Sequence, residues 1–473
     1  MLMDFYELTM ANGYFSNGMK DEIVYFDLFF RKNPDGAGFS IVAGLEQVIQ
    51  YIKELRFCDE DIEFLRSKKL FTEDFLQFLK EFKFSGDIYA IPEGTPVFPN
   101  EPLITVRAKT IDAQIIETMM LLTINHQSLI ATKANRVVRA AKGKPIMEFG
   151  ARRSQGYDGA IYGARAAYIG GVMGTATTLA DEAFGVPALG TMAHSWVQMF
   201  ESEYEAFKAY ALCYPDNCNL LIDTYNVLKS GLPNAIRISR EVLEPMGKRL
   251  KGVRIDSGDI AYLSKKCRKM LNEAGLHDCA IVASNSLDEF IISDLLDQGA
   301  KVDSFGVGER LITAKSEPVF GCVYKLVAVE KDGKIIPKIK ISENEEKITN
   351  PGYKKVWRLY DRKTKSPIAD VITLAHEVID DSKPYTIFDE IHTWKKKKVT
   401  DFYAKNLQVP VFIKGECVYE SPSLNEIREY CKKRVDNLWG EVKRFTNPHT
   451  YYVDLSKELW YCKQELISQH SFR

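Results

Sequence analysis

Between Pro145 and Gly308 the chain carries the runs PIMEFG (145–150), VPALG (186–190), NLLID (219–223), GVRID (252–256), CAIVAS (279–284) and VDSFGVG (302–308), separated by segments with helical period. Apolar runs of strand length alternating with helices are the pattern of βα units and a parallel sheet, because a parallel connection needs a crossover long enough to hold a helix. Each run stops in polar or glycine-rich residues: GARRSQGYDG, GTMAHS, DTYN, DSGD, SNS and GVGE. In a barrel of parallel strands those ends open on one face, where such enzymes carry their active sites. Singly, each ending is ordinary turn chemistry. Together they put two arginines, a histidine and several aspartates on one rim, which turns alone do not require.

Outward from this core the texture changes on both sides. Before it, Asp4 to Gly18 spaces Phe5, Leu8, Ala11 and Tyr14/Phe15 along one helical face, and Gly18 is a stop. IVYFDLFF reads as a buried strand, FSIVAG and LEQVIQYIKEL as strand then helix, and capped helices start near Asp59 and Thr72. Ser85 to Ala108 alternates short β-type runs with Pro and Gly, as a small antiparallel sheet does, and a helical region follows from Asp112 to about Lys142, crossing toward the next domain. After the core, FGCVYKLVAVEKDGKIIPKIKIS is a hairpin turning at Lys-Asp-Gly-Lys, VWRLYDRKTKSPIADVITLAH a second one, and Ser421–Phe445 and Leu455–Ile467 are helical. The expected division is residues 1–125, 126–330 and 331–473, the last helices packing on the first domain without chemistry of their own.

Composition excludes several classes of function. With 473 residues, 45% hydrophobic, the chain can bury a large core. Its net charge of −1 does not suit a general nucleic-acid binder, and the Lys395–Lys398 run reads as a solvated surface loop. Nine cysteines without paired spacing indicate neither a disulfide framework nor a zinc site. No apolar run is long enough to cross a bilayer and no signal peptide is recognisable, so a soluble, cytoplasmic protein is expected.

The rim residues define the chemistry on offer. GTMAHSWVQMF (190–200) places Thr191, His194 and Ser195 where a strand ends and a helix rich in Glu, Tyr and Phe begins, so free N–H groups favour an anion there. His194 can accept a proton or a phosphoryl group; its plainer role is to cap the helix with Ser195. Arg152 and Arg153 suit a carboxylate or phosphate, or else a salt bridge to Asp158. Asp256 suits sugar hydroxyls or magnesium, or else a helix cap that Ser257 or Asp259 also offers. GVGE (306–309) presents backbone N–H groups as phosphate sites at barrel ends do. Neither a Walker A sequence nor a G-x-G-x-x-G opening a helix is present, and no strand run ends in a Schiff-base lysine. On these grounds the chain is an α/β-barrel enzyme acting on an anionic, phosphorylated sugar.

FYELTMA, EFGARRSQGYDGA, GTMAHSWV, VRIDSGD and FGVGERLITA…FGCVYKLVAV, in this order and spacing, resemble nicotinate phosphoribosyltransferase from about residue 4 to residue 330. The resemblance implies an irregular, TIM-like α/β barrel of the type II phosphoribosyltransferase kind, an N-terminal α+β sandwich-like domain and C-terminal elements packing on it. It implies transfer of phosphoribose from 5-phosphoribosyl 1-pyrophosphate to nicotinate in NAD salvage, with Mg²⁺, and with ATP hydrolysis coupled through a phosphohistidine. His194 matches that histidine. Tyr6 matches the aromatic residue that stacks on the pyridine ring across a homodimer interface. Arg152, Thr191 and Arg254 match positions around nicotinate, and Arg153, Asp256, Gly308 and Thr313 match positions around phosphoribosyl pyrophosphate. Magnesium ligands are not assigned. The pattern is broken at Glu309, where many relatives carry threonine; a carboxylate there would repel phosphate and is expected to point elsewhere. The nicotinamide-specific relatives carry Gly where this chain has Arg153, so they are the less similar alternative. A non-catalytic phosphoribosyl-binding relative would be expected to lack His194 or Asp256.

Overall fold

The structure, a computed structural model, describes residues 1–344 and 347–470. The chain forms two compact units, one of Ile130–Pro318 and one of Met1–Leu129 with the chain from Val319 onward. The first boundary falls inside the helix Glu117–Ala140. The second falls ahead of the boundary at 330 read from sequence, because Val323–Lys331 pairs antiparallel with Ile23–Phe29, from Val24↔Val329 to Phe29↔Val323.

Among the described residues of the Ile130–Pro318 unit, six parallel strands form one sheet: β1 (Ile146–Glu148), β2 (Gly174–Thr175), β3 (Asn219–Leu221), β4 (Gly252–Ile255), β5 (Ala280–Asn285) and β6 (Ser304–Val307). Their order is β2-β1-β6-β5-β4-β3, so the first run pairs with the last, as in a barrel. VPALG contributes only a parallel bridge, Ala188 to Thr175 on β2, where the sequence suggested a full strand. Proline at 187 has no N–H to donate to a ladder, which limits that run. The two-residue β2 was not expected. Among the described residues no ladder joins Ala188 to β3, so the ring is not closed by backbone bonds. The strands read as apolar runs because their inward side chains are fully buried: Leu220, Val253, Ile255, Ile281 and Phe305 are each 0% exposed. Each such burial contributes about 1.5–3 kcal/mol.

The other unit is built on antiparallel pairing. Its largest sheet among the described residues runs Lys334–Pro337, Val323–Lys331, Ile23–Phe29, Ile104–Lys109, Asp87–Ala90, Val409–Ile413, Glu416–Cys417. Asp332 and Gly333, with φ of 50° and 70°, make the two-residue turn of the first C-terminal hairpin, a conformation that an Asp-Gly pair adopts readily. Lys354–Asp361 and Pro367–Leu374 form the second hairpin. The C-terminal helices pack within this unit: a Cβ on Gly94 would meet Ile427 and Cys431 of the helix Leu424–Asp436, and Leu459 of the helix Lys457–His470 joins Ile372 and Leu455.

Three local expectations are corrected. The long helix is broken at Ile116, between Thr110–Ile115 and Glu117–Ala140, because the Glu7 carboxylate takes the Thr118 N–H at 3.1 Å and so caps a new helix start. The helix beginning at Leu424 stops at Asp436 instead of reaching Phe445; the Asn437 side chain donates to the Lys365 carbonyl at 2.6 Å. The lysine run is no loop: Lys396–Val399 is a strand paired with Tyr385–Phe388, its lysine side chains exposed. Among the described residues no helix is long and apolar enough to cross a membrane, and all nine cysteines are free.

Candidate active site

His194 opens a helix of only five residues, His194–Gln198, separate from the helix Glu203–Cys213 with which its sequence seemed continuous. Trp196 anchors the segment, its indole N–H donating to the Ala206 carbonyl at 3.1 Å and its ring packed edge-on to Tyr210. The cap position is Ala193, so neither His194 nor Ser195 is spent as a cap. The imidazole lies between two elements. Its Nδ1 is 3.1 Å from the Thr224 hydroxyl, and its Nε2 is 4.0 Å from Asp223 Oδ1 and 4.0 Å from Asp256 Oδ2.

The two carboxylates are held differently. Asp223, just past β3, is buried; its Oδ2 accepts from the Asp256 N–H at 2.9 Å and the Ser257 hydroxyl at 2.6 Å. Its Oδ1, turned to His194, has no hydrogen-bond donor. Asp256, just past β4, accepts from the Ser284 hydroxyl on Oδ1 and leaves Oδ2 toward the histidine. The following helix is capped by Asp259, which accepts from the Tyr262 N–H at 2.9 Å, so Asp256 is free of capping duty.

Arg254 on β4 reaches across the gap in the ring. Its Nη1 donates to the Thr191 hydroxyl at 3.0 Å and its Nη2 to the Met192 carbonyl at 2.9 Å, leaving a buried Nε without an acceptor. Burial pulls its pKa down, against the Asp256 and Asp223 charges that favour the cation. At the end of β1, buried Glu148 shapes the turn that carries the arginine pair. It accepts from the Gly150 N–H and, at 2.6 Å, from the Thr175 hydroxyl, while burial raises its pKa. Arg152 and Arg153 stand exposed on that turn and form no ion pair among the described residues; the alternative bridge to Asp158 is not made.

The last rim loop packs against this turn. A Cβ on Gly150 would come within 2.5 Å of the Ile312 side chain, and one on Gly308 within 3.0 Å of the Phe149 carbonyl, so both positions need glycine for close approach. The Thr313 hydroxyl donates to the Glu309 carbonyl at 2.7 Å. Glu309 pairs with Lys315 at 2.7 Å, which holds its pKa down. That pairing accounts for a carboxylate at a position unsuited to one.

Thr191 is thus bonded to Arg254 and His194 faces Asp256, two residues beyond Arg254, with Arg152, Arg153, Gly308 and Thr313 on other strand-end loops. Tyr6 belongs to the other unit, 43% exposed on the helix Phe5–Ser16, near the exposed Met1, Leu2, Phe5 and Met10. Sequence reasoning passed over Asp223, Thr224 and Ser284. The signal was present for the first two: Asp223 closes NLLID as Asp256 closes GVRID, with Thr224 directly after it.

Comparison with known proteins decides the family. Residues 1–125 match the nicotinate phosphoribosyltransferase N-terminal domain, residues 145–366 the nicotinate phosphoribosyltransferase family and residues 353–463 its C-terminal domain. The nicotinate phosphoribosyltransferase of Bacillus subtilis is 44% identical over 468 residues, covering 98% of this chain and 94% of the relative. The chain belongs to the nicotinate phosphoribosyltransferase family. The crystal structure of human nicotinic acid phosphoribosyltransferase superposes with a TM-score of 0.88 at 30% identity, covering 98% of this chain and 100% of that one. The resemblance carried by the strand-end motifs is thereby borne out, and so is the α/β fold class. A nicotinate-nucleotide pyrophosphorylase from Pyrococcus furiosus shares the fold at a TM-score of 0.70 and 25% identity, covering 92% of this chain and 95% of that one. The fold therefore hosts a protein of another name as well, and within a nicotinate phosphoribosyltransferase the rim residues carry the argument about reaction.

Proposed function

We propose that this chain transfers the phosphoribosyl group of 5-phosphoribosyl 1-pyrophosphate to the ring nitrogen of nicotinate, in NAD salvage, with ATP hydrolysis coupled through a phosphohistidine at His194. The observation that carries the reading is His194 set between Thr224 and the carboxylates of Asp223 and Asp256. In the transfer, the C1–oxygen bond to pyrophosphate breaks with its electron pair leaving on pyrophosphate, and the pyridine lone pair forms the new C1–N bond. No protein nucleophile is needed for the sugar. The arginines hold the anions: Arg254 and Arg152 the nicotinate carboxylate with Thr191, and Arg153 the phosphates with Gly308 and Thr313. In the ATP half-reaction, an imidazole nitrogen attacks the γ-phosphorus, ADP leaves, and water later releases phosphate from the histidine.

Two carboxylates beside a phosphoryl acceptor repel the incoming phosphate unless a cation lies between them. Asp223 Oδ1 and Asp256 Oδ2 lack protein donors and are the oxygens suited to magnesium. Among the described residues no three His, Cys, Asp or Glu side chains group into a metal cage, which suits an ion completed by substrate phosphates. Magnesium would neutralise the leaving pyrophosphate. The nine free cysteines suit a cytoplasmic location.

Incubating the protein with phosphoribosyl pyrophosphate, Mg²⁺ and either nicotinate or nicotinamide, with and without ATP, tests the reading. A charge-assisted carboxylate–guanidinium pair is not replaceable by an amide, so nicotinate should be preferred by at least ~100-fold in kcat/KM. Equal turnover of the two defeats it. The exposed apolar residues around Tyr6 support a homodimer in which Tyr6 reaches the partner subunit's barrel. Mixing inactive Tyr6→Ala with inactive His194→Ala under subunit exchange should restore some activity; none despite proven exchange rejects the shared site.

A further inference from the structure

Glu309 breaks the strand-end pattern within the loop assigned to phosphate, and the proposed reaction gives its carboxylate no part. It stands between Gly308 and Thr313, among cations. Lys315 meets it at 2.7 Å, and the charges of Arg153 and Arg310 reach it as well. Arg310 is taken up by Asp288, whereas Arg153 has no acid of its own among the described residues.

The backbone brings Lys315 back to Glu309. The helix Glu309–Ile312 ends in a turn with two hydrogen bonds, from the Ala314 N–H to the Leu311 carbonyl at 3.0 Å and from the Lys315 N–H to the Arg310 carbonyl at 3.3 Å. Such a turn needs a left-handed residue, usually glycine. Here it is Ala314, with φ of 41°, where a Cβ is crowded. The chain thus adopts an uncommon conformation at the step that folds Lys315 over the loop. Both partners stay within reach of solvent, Glu309 at 36% and Lys315 at 57% exposed. A pair this open contributes little to stability, and its lysine is free to change one anion for another.

We infer that Glu309 stands in for a substrate phosphate: its carboxylate engages Lys315 and offsets the charge of Arg153 until a phosphate entering beside Gly308 and Thr313 takes Lys315 over. On the reading that this loop receives phosphoribosyl pyrophosphate, on which this role rests, Glu309 sets how tightly the site holds phosphate anions. The displaced carboxylate opposes the ground state and the transition state alike, so it acts on KM and not on kcat. It also keeps inorganic phosphate, which has less charge to offer, from occupying the loop.

Two variants test this. Glu309→Gln keeps the size of the side chain and removes its charge, and Lys315→Met leaves the carboxylate uncovered. At low salt the KM for phosphoribosyl pyrophosphate should be about fivefold lower in Glu309→Gln and about fivefold higher in Lys315→Met, with kcat and the KM for nicotinate within about twofold of the parent. Both shifts should shrink at ~0.5 M salt, and inorganic phosphate should inhibit Glu309→Gln more strongly than the parent. A KM for phosphoribosyl pyrophosphate that is unchanged or raised in Glu309→Gln overturns the proposal. Calorimetric titration with inorganic pyrophosphate and Mg²⁺ reads the same contrast without turnover. Tighter binding by Glu309→Gln supports the role of Glu309 even if the parent transfers no phosphoribose, a result that would defeat the proposed reaction alone; equal binding by the parent and both variants overturns it.

Discussion

Two clusters of charge, one in each unit, are completed to different degrees. In the antiparallel unit Arg358 donates to Asp370 through Nε at 2.8 Å and Nη2 at 2.6 Å, and Tyr451 adds its hydroxyl at 3.0 Å. The Phe98 and Tyr451 rings stack beside them, 3.8 Å apart. Glu101, 3.9 Å from Arg358, has a bare oxygen, and burial and the Asp370 charge hold its carboxyl well above the usual carboxylate range. At the rim of the parallel unit, Asp223 is buried with one oxygen unpaired, Arg254 keeps a bare Nε, and Arg152 and Arg153 have no acid. A complete set of partners serves stability; an incomplete set is a place for substrate.

The sharpest way to break this contrast is at His194. His194→Asn keeps a polar side chain of similar size and removes the phosphoryl acceptor. ATPase activity and acid-labile labelling by ATP should fall by at least ~100-fold, with the fold and a slow ATP-independent transfer retained. Persistent labelling would mean that the rim is not organised around this residue. The complementary break is Arg358→Met, which strands the Asp370 carboxylate in the core. Unfolding by urea should report a loss of about 3–5 kcal/mol, while kcat per folded molecule is unchanged.

Asp223→Asn sharpens the comparison, because it removes an incompletely paired charge while an amide oxygen still accepts the Asp256 N–H. ATP-coupled turnover should drop about tenfold while stability holds or rises, the trade expected where charge is kept for function. A fall in stability without a change in turnover would reclassify Asp223 as structural. The smallest effect concerns Glu7, where the antiparallel unit leaves one oxygen bare. Burial lifts its pKa from 4.5 to about 7, against the Thr118 hydrogen bonds that lower it. An acid with a raised folded pKa contributes stability that is full below pH 4.5 and lost as pH rises through about 7. Glu7→Gln should flatten that part of the stability–pH curve, measured by denaturant titration at several pH values.

How much of this was readable before the coordinates depended on the range of the interactions. Five of the six apolar runs are strands because burial writes itself as unbroken hydrophobicity; VPALG failed where a proline interrupts it, and Gly174–Thr175 is too short to leave a pattern. The break at Ile116 was hidden because Glu7, which caps the new helix, lies more than a hundred positions earlier. Lys396–Val399 became a strand through its partner Tyr385–Phe388, not through its own composition. At the site, Thr191 meets Arg254 and His194 faces Asp256, while Asp223 was missed because an aspartate opening DTYN reads equally well as a turn residue. Its worth is visible only when its oxygen is seen against His194 Nε2.

The gap between Ala188 and β3 has a mechanical consequence. A ring of strands fastened at its last joint by one guanidinium is a clasp: two hydrogen bonds, from Arg254 to Thr191 and Met192, stand where a ladder would otherwise run. Each is worth about 1.5–3 kcal/mol. Any anion that competes for Arg254 loosens the clasp as it binds, and the segment it releases is the one that carries His194.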